Sequence, residues 1–522
     1  MILYKRETLI KQLQENSDWD VIVIGGGATG LGVALDSTTR GFKTLLLEQV
    51  DFAKGTSSRS TKLLHGGVRY LAQGNIDLVK EALYERGLLL KNASHLVSNQ
   101  SFIIPNYNWW DNLFYTVGLK IYDILAGKLS FGTSTRINKK ETILRLSTIK
   151  KKHLKGGVVY HDGQFDDSRL AINIAQTCIE NGATILNHFE VKQLLKNDNS
   201  IVNGVVAQDI ETNISYNLKA KVVINATGVF TDEILKMDNA EANNIVRPSQ
   251  GIHLVLDKSF LPGNDAIMIP KTDDGRVLFL VPWQNKVVVG TTDTPLDSHS
   301  LEPIALDEEV DFIISTANRY LNKKVGKEDV LSIFAGLRPL AASKENSEKT
   351  KEISRSHKII VSDSELITIT GGKWTTYRRM AQDTVNKAIA IGKLPNITCK
   401  TKNLRIHGAM DVIDNSHHLY LYGSDQDAIQ QLIKEFPELG EKLHLRLEYT
   451  KAEVIWAIRN EMARTVEDIL ARRVRALFLD ARAAIEIAPK VAEILAKELA
   501  KDKMWEQQQI IEFTAIANQY VL

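Results

Sequence analysis

The sequence predicts an α/β fold: a parallel-stranded Rossmann-like domain, a mixed or antiparallel-sheet domain interleaved with it, and an all-helical C-terminal domain. Three observations carry that prediction. The stretch Asp20-Val21-Ile22-Val23-Ile24-Gly25-Gly26-Gly27-Ala28-Thr29-Gly30 runs an apolar strand into glycines at GxGxxG spacing. Val277 to Val281 and Lys286 to Val289 are β-rich runs flanked by turn residues, the signature of antiparallel strands. From Lys451 to Leu522, Ala, Glu, Leu, Arg and Ile follow one another at helical spacing with few glycines.

Taken along the chain, residues 1–17 mix Lys5, Arg6, Glu7, Lys11 and Glu15 with Leu9, Ile10 and Leu13, which predicts a short amphipathic helix. The strand Val21 to Ile24 follows. Gly25 permits the tight turn, Gly27 lets a pyrophosphate approach the backbone, and Gly30 lets the next helix pack on the strand. That helix presents free N–H groups and a positive dipole end to the phosphates. Thr44 to Leu47 is a second strand, ending in Glu48, a carboxylate placed to accept from ribose hydroxyls. Strand, glycines, helix, strand and acid in this order predict a dinucleotide site; the glycines alone do not say which dinucleotide.

Asp51 to Leu71 crowds small hydroxyl residues and glycines together with few large apolar ones. It reads either as a loop wrapped around a polar ligand or as a solvated loop. Val222 to Ile224 is a further buried strand, delivered into Asn225-Ala226-Thr227-Gly228, and Leu366 to Ile369 enters Thr370-Gly371-Gly372-Lys373. These separated pieces assemble a cofactor domain over 18–395, with the substrate-covering part at roughly 245–350. Composition changes after Pro395, Thr398 to Lys402 is a linker, and 398–522 form the helical domain. Its basic run Arg472-Arg473-x-Arg475 is expected to form a solvated helix face or, alternatively, to meet anionic lipid.

At 522 residues the chain needs two or three cores. Composition is ordinary for a globular protein, at 44% hydrophobic and 25% charged. A net charge of +2 gives no electrostatic reason to expect nucleic acid. Two cysteines, Cys178 and Cys399, make no disulfide framework and suit a reducing compartment. No signal-peptide core and no apolar run of the ~20 residues needed to span a bilayer is present, so membrane association is expected to be peripheral. No metal-ligand pattern is expected; His417 and His418 read as surface histidines.

Several motifs resemble one family. Lys62-Leu63-Leu64-His65-Gly66-Gly67-Val68-Arg69-Tyr70, Asn225-Ala226-Thr227-Gly228, Gly290-Thr291-Thr292-Asp293, Phe334-Ala335-Gly336-Leu337-Arg338-Pro339-Leu340 and Gly371-Gly372-Lys373-Trp374-Thr375-Thr376-Tyr377-Arg378 occur in the order found in FAD-dependent glycerol-3-phosphate dehydrogenases, within the flavoprotein group that includes D-amino-acid oxidase. The resemblance covers essentially the whole chain. It implies FAD as cofactor, held by Gly25, Gly27, Gly30 and Glu48, by Thr56, Ser57, Ser58, Lys62, His65, Gly66 and Gly67, and by Ala226, Gly228, Gly372, Lys373, Trp374 and Thr375. Mitochondrial relatives carry a C-terminal calcium-binding extension; no such loop is expected here, the chain ending at Leu522.

The resemblance also implies the chemistry: oxidation of glycerol 3-phosphate to dihydroxyacetone phosphate by hydride transfer to the flavin. Such a reaction needs cations for the phosphate and an acceptor for the hydroxyl proton, while the cofactor takes the electrons. Arginine suits the phosphate through paired, charge-assisted hydrogen bonds. Arg338 and Arg355 are implied to project into the substrate pocket, although Arg355 alone would read as a surface or interface ion pair. Arg69 and Tyr70 match positions lining the substrate side. His253, in Gln250-Gly251-Ile252-His253-Leu254, is the first candidate for proton acceptor against a merely structural role. Lys373 either polarises the flavin or substrate oxygen or is a cofactor-loop cation.

Dehydrogenases of this family pass electrons to membrane quinone, which implies a peripheral enzyme on the cytoplasmic face of the membrane, or in the cytoplasm, and leaves a homodimer open. Trp109-Trp110-Asp111-Asn112-Leu113-Phe114-Tyr115-Thr116-Val117-Gly118-Leu119 is rich in amphipathic aromatics suited to a headgroup region; an ordinary packed helix is the other reading. Two alternatives stand beside the dehydrogenase: a soluble oxidase making hydrogen peroxide from oxygen, and a non-catalytic dinucleotide-binding redox sensor, which would need neither Arg338 nor His253.

Overall fold

The computed structural model describes residues 4–16, 18–68, 71, 74–272, 275–341 and 357–522, and of 109–112 and 128 the backbone alone. Its first sheet runs, edge to edge, Lys358–Val361, Ile367–Thr370, Ser215–Asn225, Asp18–Ile24, Thr44–Leu47 and Thr184–Leu186. Asp18–Ile24 pairs in parallel with both central neighbours, Ile24 lying opposite Leu47 on one side and Asn225 on the other. The apolar runs Val21 to Ile24 and Leu45 to Leu47 are buried in one core, which they share with helices Ala28–Thr39, Asp167–Glu180 and Tyr377–Ile391 and with the strands Phe189–Lys196 and Val202–Asp209. Helix Ala28–Thr39 packs between Asp167–Glu180 and Tyr377–Ile391. The N-terminal helix spans Arg6–Glu15 and is anchored by buried Arg6, whose guanidinium donates to Asp209 and to Asn187 O.

The second sheet is larger and mixed. Its order is Thr294–Pro295, Val246–Asp257, Lys286–Gly290, Leu278–Trp283, Ala266–Ile269, Val97–Asn106, Gly156–Phe165 and Leu63–Leu64, with Val330–Ala341 added alongside Val246–Asp257. Pairing is antiparallel except between Ala266–Ile269 and Val97–Asn106. Strands from 63–165 thus join those from 246–341, a wider source than the roughly 245–350 expected from sequence.

The period-two alternation of side chains gives this sheet two faces. One carries Ile103, Val159, Leu254, Ile267 and Leu280 against helix Asp307–Tyr320. The opposite face carries Phe102, Tyr160, Met268 and Val281 against Leu119 of helix Trp109–Ala126. Farther along this second face, Val255, Val288 and Phe334 meet the C-terminal helices through Phe478, Leu477 and their neighbours.

The helical tail, Lys451–Asn460, Ala481–Glu498 and Lys503–Ala517 chief among its helices, is joined to the cofactor domain by buried charge. Arg472, Arg473 and Arg475 are each only 1% exposed, which corrects the expectation of a solvated or lipid-facing run. Arg472 Nε donates to Asp51 Oδ2 at 2.5 Å and Arg473 Nη2 to Asp51 Oδ1 at 3.0 Å. Arg475 Nη2 donates to Asp167 Oδ1 at 3.2 Å and to Ser58 O at 2.9 Å. Charge patterning alone could not distinguish a solvated run from one whose partners lie some 300–400 residues away in sequence. Thr401, in the expected linker, is buried against Arg378.

Candidate functional site

The parallel register brings the carboxyl ends of three central strands together, so Gly25, Glu48 and Ala226 stand side by side at one rim, where ligands of open α/β sheets bind. Gly371 and Gly372, after Ile367–Thr370, complete one elongated cavity that runs from Glu48 past Gly27 and Gly228 to Lys373 and Trp374. Gly25 has φ +106°, and a Cβ there would stand 2.8 Å from Ala226 O. Gly30 faces Gly25 O so closely that any Cβ would collide with it. Gly27 is different: its φ is −77°, open to any residue, and a Cβ would meet only Ser57 Oγ, at 3.2 Å. What its missing side chain leaves is room in the cavity. Glu48 accepts from Gly26 N at 2.7 Å and Val50 N at 2.9 Å, while burial raises its carboxyl above the usual range.

The loop after Glu48 divides in two. Thr56 and Ser57 reach the cavity wall; Ser57 Oγ accepts from Ala28 N at 2.9 Å and Trp374 Nε1 donates to Ser57 O at 2.8 Å. Ser58 and Lys62 are brought instead to the back of the loop. Lys62 Nζ, fully buried, donates to Ser58 O at 2.6 Å and Asp167 Oδ2 at 2.7 Å. Burial lowers this ammonium to about 7 against the pull of Asp167. Gly66 packs under Leu83 and Tyr122, while His65 and Gly67 line a second cavity. Thr375 is buried beside the first, its hydroxyl directed at His65 O.

The second cavity lies against the face of the large sheet that turns toward helix Trp109–Ala126. In register, Ser249 stands opposite Arg338, Gly251 opposite Gly336, and His253 opposite both Phe334 and Gly290. Opposed residues of an antiparallel pair point to the same side, so these form one surface. The glycines leave it bare where the functional side chains lie. A Cβ on Gly251 would stand 2.8 Å from Arg338 Cζ, one on Gly290 would be 2.9 Å from His253 Cγ, and one on Gly336 would be 2.9 Å from Arg59 O. Gly251 and His253 share one face of their strand, a period-two spacing that the sequence displays, whereas Gly290 meets His253 only across strands.

Arg338 donates from Nη1 to Gln250 O and Asp293 Oδ1, both at 3.2 Å, and from Nη2 to Thr291 Oγ1 at 3.1 Å and Thr292 O at 2.9 Å. Its side chain remains 25% exposed, at the cavity wall. Ser249 Oγ in turn donates to Asp293. His253 stacks on Phe334, ring centroids 4.8 Å apart, and its Nε2 lies 2.9 Å from Thr61 Oγ1, which lines the cavity. Among the described residues its Nδ1 has no hydrogen-bond partner. Burial, reinforced by Lys62 and Arg338, holds the imidazole well below its ordinary pKa, so it is neutral. Arg276, not singled out from sequence, adds a second described arginine to this wall and lies over the Phe312 ring. Arg69, Tyr70 and Arg355 lie outside the described residues, as do the side chains of Trp109 and Trp110. Among the described residues no cluster of His, Cys, Asp and Glu could hold a metal ion.

The first cavity fits a flavin dinucleotide: a carboxylate at its ribose end, a bare glycine where a pyrophosphate would lie, and a Gly371-Gly372-Lys373 turn at the far end near the second cavity. Comparison with known proteins agrees. Residues 20–378 match the family of FAD dependent oxidoreductases, and residues 362–509 match the C-terminal domain of alpha-glycerophosphate oxidase. The mitochondrial glycerol-3-phosphate dehydrogenase of Rattus norvegicus is 40% identical over 97% of this chain and 74% of its own length. That of Schizosaccharomyces pombe is 39% identical over 95% and 87%. The crystal structure of the glycerol-3-phosphate dehydrogenase from Bacillus halodurans, complexed with FAD, is similar with a TM-score of 0.81 at 29% identity, covering 100% of this chain and 98% of its own. L-alpha-glycerophosphate oxidase from Mycoplasma pneumoniae shares the fold, with a TM-score of 0.56 at 16% identity over 74% of this chain and 97% of its own.

Proposed function

The chain belongs to the FAD-dependent oxidoreductase family, and from that premise we propose that it oxidises sn-glycerol 3-phosphate to dihydroxyacetone phosphate and passes the electrons to membrane quinone. The cofactor is FAD, which when bound supplies the two-electron acceptor for the carbinol hydride. The observation that carries the reading is the shared sheet face: a cavity-lining guanidinium and a neutral imidazole, Arg338 and His253, held four residue pairs apart across glycines, beside the flavin cavity.

In this reading Arg338 receives the phosphate dianion, whose two charges outcompete the single one of Asp293 for Nη1. Arg276 faces the same space. His253 Nε2 accepts the hydroxyl proton, reached through the Thr61 hydroxyl 2.9 Å away. A weak base suffices, because departure of the hydride makes that proton far more acidic. Being neutral, the ring already offers a lone pair at physiological pH. Lys373 closes the flavin end of the first cavity, where a cation favours negative charge on the reduced ring.

Helix Trp109–Ala126 supports a peripheral position at the membrane. Leu113, Phe114, Val117, Ile121 and Ile124 are 46–76% exposed and recur along one helical face. Their spacing places an apolar stripe outward while Leu119 and Tyr122 face the core. Among the described residues no helix is long and apolar enough to cross a membrane. An interfacial helix that buries this stripe among headgroups is the arrangement we propose, on the cytoplasmic side. The match of residues 362–509 to a domain named for an oxidase keeps oxygen as the second reading. Purified yellow protein mixed anaerobically with glycerol 3-phosphate, then with a quinone or with oxygen, tests both: fast reoxidation by quinone supports the dehydrogenase, and peroxide formation that quinone and lipid do not outpace supports the oxidase.

A further inference from the structure

The surface that aims Arg338 is held from behind. Side chains alternate along strand Val246–Asp257, so Ser249, Gly251 and His253 turn to the second cavity while Gln250 and Ile252 turn to the opposite face. There Ile252 packs with Val310 and Ile313 of helix Asp307–Tyr320. Glu309 is the third residue of that helix. Asp307 and Glu308 before it are exposed, whereas Glu309 is buried. Its Oε1 accepts from Thr292 Oγ1 at 2.6 Å and Thr294 Oγ1 at 2.7 Å. Its Oε2 accepts from Gln250 Nε2 at 2.8 Å and from Leu306 N, at the start of the helix, at 3.2 Å. All four donors are neutral.

These bonds lead to Arg338. Gln250 and Thr292, each tied to Glu309 by its side chain, each present a backbone oxygen to the guanidinium. Asp293, whose carboxylate also accepts from Nη1, lies between Thr292 and Thr294. Thr292 Oγ1 accepts in addition from Ile252 N at 3.0 Å, which fastens the 291–294 segment to the strand. Arg338 thus takes its direction from two backbone segments, and one carboxylate outside the cavity wall holds both. Seating the helix does not require that carboxylate, since Val310, Ile313 and Ala317 already pack it on the sheet. A buried carboxylate is costly unless hydrogen bonds compensate it. What it supplies, and an apolar side chain cannot, is two acceptor oxygens for four donors. We propose that Glu309 is a positioning residue for phosphate recognition, acting through Gln250 and Thr292 to aim the Arg338 guanidinium into the cavity. The inference rests on the reading given under Proposed function, and it adds the group that sets the geometry of the anion site.

The test uses FAD-loaded full-length protein. Glu309→Gln keeps the volume but exchanges one acceptor oxygen for an amide donor. The N–H groups of Gln250 and Leu306 cannot reverse polarity, so the remaining oxygen should stay with them and leave the two threonine hydroxyls without their acceptor. Variants are compared at equal flavin content and melting temperature. Half-maximal anaerobic bleaching should need about tenfold or more glycerol 3-phosphate, as for one misdirected charge-assisted hydrogen bond. Competition by inorganic phosphate should weaken by the same factor, while slow bleaching by unphosphorylated glycerol stays unchanged. Equal loss with both alcohols, or an unchanged inhibition constant for phosphate, overturns the proposal. If the glutamine variant loses flavin or melts early, Thr294→Val and Thr294→Ser decide. Valine removes one donor to Glu309 at constant shape and should weaken phosphate binding; serine keeps the hydroxyl and should bind phosphate as the unaltered protein does. Indistinguishable constants for the two contradict the clamp. Failure of the underlying reading looks different: glycerol 3-phosphate would not bleach the flavin of the unaltered protein anaerobically.

Discussion

Replacing Gly251 by Ala should damage recognition of the phosphate without touching any charged residue. Gly251 sits in an extended strand and has no positive φ, so alanine costs nothing in backbone conformation. Its Cβ, however, would lie 2.8 Å from Arg338 Cζ and closer still to Nη2, the atom that donates to Thr291 Oγ1 and Thr292 O. The guanidinium must swing away, since the opposing Gly336 side is occupied by the Arg59 backbone. Loss of one well-aimed charge-assisted hydrogen bond to the substrate is worth ~1.5–3 kcal/mol, which lowers kcat/KM for glycerol 3-phosphate about 10- to 150-fold. Overpacking adds ~1–3 kcal/mol of destabilisation at most, so the variant should fold and keep its flavin. Anaerobic stopped-flow bleaching provides the assay, with unphosphorylated glycerol as the control substrate. The reasoning fails if both substrates lose rate equally, or if Gly251→Ala behaves like the unaltered enzyme.

Other perturbations probe separate parts of the structure. Gly27→Val fills the space that glycine leaves in the first cavity, so the protein should purify colourless or with little flavin by absorbance; normal occupancy would remove the pyrophosphate from that turn. Asp51→Ala takes from buried Arg473 its carboxylate partner and from Arg472 one of three, and should cost ~3–5 kcal/mol in urea unfolding, whereas a surface run would lose almost nothing. Burial opposes charge on His407, but Asp425 and Glu180 outweigh it and raise its pKa to about 9. A raised pKa stabilises the fold fully below ~6.5, and that contribution is lost as pH climbs through 9. The melting temperature should therefore decline from pH 6.5 to 9.5 and decline less in His407→Asn, and parallel profiles would exclude this clasp. Phe114→Ser with Ile124→Ser should weaken binding to anionic vesicles by ~2–4 kcal/mol, leaving flavin reduction by substrate intact; undiminished co-sedimentation would place the membrane contact elsewhere.

Much of the cofactor half was legible because its signals are local. The apolar run before Gly25, the acid after Thr44 to Leu47 and the Ala226 and Gly371 turns each sit in one short stretch, and parallel pairing alone aligns them. The sheet face of the second cavity was legible only in fragments. His253 and Arg338 drew attention as reactive side chains, yet Gly251 and Gly290 matter through contacts across strands that no single stretch reveals. Lys62 lies in a cofactor-type loop, yet its ammonium turns back to Asp167, more than a hundred residues on, a contact that the loop's own sequence does not display. The tail was harder still. Arg472 and Arg473 look solvated by composition, but the long-range approach of Asp51 pairs both in the interior, with Glu467 and Asp468 completing the partners of Arg472.

The most direct test of the central claim is anaerobic titration of the purified flavoprotein with glycerol 3-phosphate, followed spectrally, and then with a quinone before any oxygen enters. The account predicts that the oxidised flavin bands bleach on addition of the alcohol phosphate, that dihydroxyacetone phosphate accumulates with one equivalent per flavin, and that quinone restores the yellow colour. Flavin that stays oxidised in the presence of glycerol 3-phosphate would contradict it.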